Sequence, residues 1–161
     1  FAVAGTFAGE PLGPGALDTA VPPRTAAAEI LVATLREGCV NETIAAAVAE
    51  QAAQGCQDPR LAELLRGVAA DETRHAALAW RTVRWILQAH PDLAPLARAT
   101  LDQALAEPVA APGDLAAPGV LRAHGVLPAR ELAAVVHRVR AAVLCPCAEA
   151  LFHAEGPQLG A

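Results

Sequence analysis

The chain has 161 residues, a net charge of −5 and 54% hydrophobic residues, mostly alanine, with aromatics at only 3%. That length suits one domain burying roughly 70% of its unfolded surface, and an alanine- and leucine-rich composition poor in β-branched and aromatic residues predicts helices rather than strands. No run of eighteen uncharged apolar residues exists to span a bilayer, and twelve arginines without lysine form no basic patch, which argues against nucleic acid as a partner.

Methionine is absent, even at position 1, so a mature product or a piece of a longer chain is expected. No signal peptide is visible. Residues 1–8 are short and apolar, and read as the tail of a helix. Residues 9–23 hold four prolines and three glycines and read as an irregular connection. A long helix is predicted over 24–54, with Pro22 and Pro23 before it and Gly55 as its stop. Asp58 as N-cap and Pro59 at the first helical position start a second long helix over 59–89, ended by His90 and Pro91. Asp92 is the expected cap of a third helix reaching residue 106. Residues 107–119 read as a proline- and alanine-rich loop, and 119–124 as a short helical turn. A last helix is predicted over 129–152, kinked or broken by Pro146. The expected fold is all-α: an irregular segment over 1–23, a long antiparallel helical hairpin over 24–90 and a helical extension over 91–161.

The hairpin carries the candidate chemistry. Glu72 and His75 stand three residues apart, on one face of a helix and about 5–6 Å from each other. They interrupt the apolar stripe Leu61, Leu64, Leu65, Val68, Ala79, Val83, Ile86. A carboxylate on such a stripe needs a partner, and Glu-x-x-His projecting into a helical bundle is a ligand pattern of di-iron and di-manganese carboxylate proteins. The plain alternative is that Glu72 pairs with Arg74 or Arg36. On the first long helix Glu37 interrupts the face Ile30, Ala33, Thr34, Asn41, Ile44, Val48. Glu42 lies about 140° away by the α-helical period, on a second apolar face. Measured from the turn, Glu37 lies roughly 26 Å up its helix and His75 roughly 24 Å up the other, so both meet at one level. Glu42 is level with Glu72, and height does not choose between the two glutamates.

With Glu37 on one helix and Glu72 and His75 on the next, the hairpin resembles one half of a ferritin-like four-helix bundle. Residues 36–43 and 71–80, with the later stretches 124–128 and 143–148, are similar to a group of bacterial ferritin-like domain proteins. The resemblance implies a di-metal site, iron or manganese, with Glu37, Glu72 and His75 as ligands and Glu42 as alternate or supporting carboxylate. It also implies O₂- or peroxide-linked oxidation or metal handling, as in a di-metal oxidase or oxygenase. Only half of such a site is present, so a homodimer or a further N-terminal helix pair is the expected partner. The competing expectation is a metal-free helical interaction or scaffold module.

His90 suits a helix C-terminus; His124, His137 and His153 read as helix-stop, boundary and end residues. Trp80 and Trp85 are expected in the core. Cys39, Cys56, Cys145 and Cys147 match no zinc pattern. At most one disulfide, Cys39 with Cys147, is expected to join the first long helix to the tail. Such a bond points to the cell envelope or exterior rather than the cytoplasm.

Overall fold

In a computed structural model, described over residues 1–16, 25–108 and 118–153, every regular element among the described residues is helical. Helix α1 spans Ala2–Ala8 and α2 spans Ala27–Ala33. A π-helical segment, Thr34–Asn41, continues α2 directly into α3, Glu42–Gly55. A short turn leads to α4, Pro59–Ala89. The 3₁₀ turn Pro91–Leu93 precedes α5, Ala94–Ala106. The remaining helices are α6, Pro118–Ala123; α7, Ala129–Val139; and, after the π turn Arg140–Leu144, α8, Cys145–His153.

The start of α4 follows from its sequence. The Asp58 carboxylate accepts from the backbone N–H groups of Arg60 and Leu61 at 2.9 and 3.2 Å, and Pro59 fills a position whose N–H would have no partner. At the other end the residue before Pro91 leaves the helical region. Asp92 does not cap the third helix as expected: it lies within the 3₁₀ turn, and the α5 N-terminus has no side-chain cap. The interruption expected at Pro146 lies just before it: the α7 ladder gives way to the π turn, and Pro146 follows as the second residue of α8. The connections expected over 9–23 and 107–119 lie partly outside the described residues.

The continuous rod α2–π–α3 is central. On one side it packs antiparallel against α4; on the other, α5 lies against α2 and the π segment, and α7 against α3. Leu31, Leu35, Cys39, Leu101, Val135 and Leu144 are fully or almost fully buried between the rod and these shorter helices. The turn between α3 and α4 is held by α6: the Gln57 N–H donates to the Ala123 carbonyl at 2.7 Å. Gly125 closes the following turn at φ 82°, and a Cβ there would meet Leu65 at 2.7 Å.

The stripe that α4 buries keeps Ala79, Val83 and Ile86 of the one that periodicity suggests, but in its first half Ala62, Ala69 and Ala76 take the place of the leucines, with Leu65 packed at the edge. Small side chains let the rod come close: a Cβ on Gly38 would stand 2.5 Å from that of Ala79. Leu64, Val68, Leu78 and Trp85 are left on the outside, Trp85 at 67% exposure. The expectation of two core tryptophans therefore fails for Trp85, while Trp80 is half-buried against the core. With α5 and α7 both lying behind the rod, much of α4's apolar perimeter is uncovered.

Candidate metal centre

The π segment sets the geometry of the site. In an α-helix Glu37 and Glu42 point about 140° apart. Here the Glu42 N–H bonds to the Glu37 carbonyl, an i→i+5 bond that stacks the two residues one turn apart. Both carboxylates consequently line one groove between the rod and α4. Its volume is about 570 Å³, and Thr34, Gly38, His75, Leu78 and Ala79 line it too.

Glu42 and His75 of that groove, with Glu72 beside them, each bring one possible donor atom within 4.8 Å of the other two. His75 Nδ1 stands 3.5 Å from Glu72 Oε2. Three donors bound to one ion at ~2.1 Å lie about 3.4 Å apart in a tetrahedral arrangement, so the set closes around a metal only with side-chain movement on the order of an ångström. Two carboxylates and an imidazole are donors that suit first-row divalent ions better than a soft thiophilic ion.

Glu37, read from the sequence as the first ligand, lines the groove but is not one of the three clustered donors. Its supposed alternate, Glu42, takes that place beside Glu72. Burial also departs from expectation. The site was expected to sit inside a bundle, yet His75 is 59% exposed and Glu72 28%, because among the described residues no helix lies across the groove mouth. Arg36 and Arg74 do not neutralise Glu72: Arg36 pairs with Glu107 and Arg74 with Asp71.

No family model, curated protein or solved structure matches the chain, and the chemistry of the groove rests on these residues.

The remaining histidines stand away from the cluster. His90, His137 and His153 are exposed, and His124 meets the Phe7 ring edge-on at 5.9 Å between centroids. All four cysteines are free thiols, so the expected Cys39–Cys147 bond is not formed. Cys39 is fully buried, and burial, with Cys147 and Glu42 nearby, pushes its thiol up to about 12.

Proposed function

We propose that Glu42, Glu72 and His75 bind a transition metal, iron or manganese, with Glu37 as a further carboxylate at the same groove. On this reading the chain is a ferritin-like module supplying half of a carboxylate/histidine di-metal site, and a second copy or another helix pair supplies the rest. The observation that carries it is the convergence of three donors from α3 and α4 on a groove left open between exposed apolar residues.

Those apolar residues support the partner. Leu64 and Val68 precede the cluster on α4, and Leu78 and Trp85 follow it. A twofold axis passing near His75 would set Leu64 of one copy against Trp85 of the other, the isologous arrangement of a symmetric dimer. Two such hairpins would bring together two Glu-x-x-His pairs with a carboxylate from each facing helix. When bound, the metals supply redox chemistry toward O₂ or peroxide; the protein's residues hold them, and the closed bundle excludes bulk water.

A metal-free interaction module is the second reading, favoured by the 59% exposure of His75 beside the same apolar residues. Metal analysis of the purified chain, titration with Fe(II) and Mn(II), and light scattering separate the two. The first reading expects metal bound by the wild type, lost in His75→Ala, and a dimer whose formation Leu78→Arg blocks. A dimer that binds no metal, or binding untouched by His75→Ala, overturns it.

A further inference from the structure

We propose that Arg36, Asn41 and Arg140 form a binding site for a small oxyanion of the phosphate type, where the rod meets the end of α5 and the π turn leading into α8. The pocket there measures about 230 Å³. Sites for larger organic ligands run to ~300–1,000 Å³, so this one suits an ion of a few atoms. Its polar lining is two guanidiniums, one amide and the Glu107 carboxylate, set against the buried side chains of Val40 and Ile44. Two cations against one anion leave an excess of positive charge, in a chain whose net charge is −5. Apolar neighbours strengthen the charge-assisted hydrogen bonds made beside them.

The two arginines leave donors unspent. Arg36 Nη2 pairs with the Glu107 carboxylate, and Arg140 Nη2 donates to the Glu107 backbone carbonyl. Arg140 Nε is buried without a hydrogen-bond partner among the described residues. A buried donor without an acceptor is costly, and an oxyanion that engages the turned guanidinium fork satisfies it. The donors come from two elements, Arg36 and Asn41 from the rod and Arg140 from the later π turn. A tetrahedral ion presents oxygens to both at once, whereas a carboxylate has two in one plane. Both π segments among the described residues therefore contribute to this pocket, and π turns occur frequently at functional sites. Glu107 holds the ligand's place: an entering anion displaces its carboxylate, already 48% exposed, into solvent. None of Glu42, Glu72 and His75 lines the pocket, so this inference stands apart from the metal reading.

Calorimetric titration of the whole chain with inorganic phosphate, in chelator-treated buffer of low salt, tests the site. Sulfate and acetate are titrated in parallel. The expected result is one phosphate per chain with a Kd of about 1 mM or tighter, and acetate at least about tenfold weaker. Arg36→Gln and Arg140→Gln are each expected to weaken phosphate binding by about tenfold or more, and His75→Ala to leave it unchanged. Glu107→Gln removes the competing carboxylate and is expected to tighten binding several-fold, a gain that misfolding cannot produce. The proposal is overturned by absence of phosphate binding, by acetate binding as tightly as phosphate, by unchanged affinity in either arginine variant, or by no gain in Glu107→Gln. Sulfate binding like phosphate supports a site that reads tetrahedral shape and charge.

Discussion

The two grooves that run along α4 share both walls, the rod and α4 itself, yet they differ in chemistry and in what flanks them. One holds Glu37, Glu42 and His75 and opens between exposed apolar residues. The other, of about 710 Å³, is walled by alanines with Trp80, and is flanked by Val139, Val143 and Cys147 of the C-terminal helices. The contrast lies in what covers each side: the rod is secured from behind by α5 and α7, and the groove with the clustered donors is left open.

The sharpest way to break this contrast is to weaken the back and trim the front in parallel. Leu35→Ala, at a fully buried position, is expected to cost about 2–5 kcal/mol. Leu78→Ala, 56% exposed on the open side, should change the stability of the isolated subunit by less than ~0.5 kcal/mol. Urea unfolding at a concentration where the chain is monomeric measures both, and equal losses would erase the distinction.

Next in size is Gly38→Ala. The added methyl would meet Ala79 at 2.5 Å, and forcing the rod from α4 should cost about 1–3 kcal/mol. Because the same methyl would lie 3.9 Å from the Glu42 carboxylate, Fe(II) or Mn(II) affinity should fall as well, which titration would detect.

The back of the rod also predicts a pH dependence. Folding raises the Cys39 thiol from 9.0 to about 12, so the native state favours the protonated form. That contribution is fully present below pH 9 and is lost as pH rises toward 12. Denaturation midpoints of wild type and Cys39→Ala, compared across that window, should converge as pH increases; parallel curves would contradict the assignment.

The smallest expected effect is on the front. Glu72→Gln removes a charge held close to Glu42, so without metal the variant should be more stable by a few tenths to about 1 kcal/mol. With Fe(II) or Mn(II) added, the order should reverse, because the wild type alone gains binding energy. Melts that are identical in all four conditions would reduce Glu72 to a solvated charge.

Sequence alone was enough to read the helices, the Asp58–Pro59 start and the pairing of Glu72 with His75, since capping, proline placement and i,i+3 spacing are local. It misassigned what depends on neighbours. The leucines of α4 looked like core because they recur at helical spacing, yet the rod selects the alanine side, where Gly38 can approach Ala79. Glu37 was set ahead of Glu42 by the family resemblance alone, since height along the hairpin did not choose between them. No residue type between 34 and 41 announces a π turn, so the shared groove of the two glutamates was invisible. Trp85 was lost to the same cause as the leucines: nothing along the chain says which apolar face will go uncovered.

The π segment also makes the rod unusually tolerant of losing one residue. An i→i+5 turn is an α-helix carrying one residue more than its ladder requires. Deleting Val40 would leave Glu37 and Glu42 four residues apart, about 40° from each other on an ordinary α-helix, so they would still share a face. Leu31 and Leu35 would keep their place in the core. A one-residue deletion here should therefore do less harm than the same deletion within α3, which would turn everything upstream of it by about 100°.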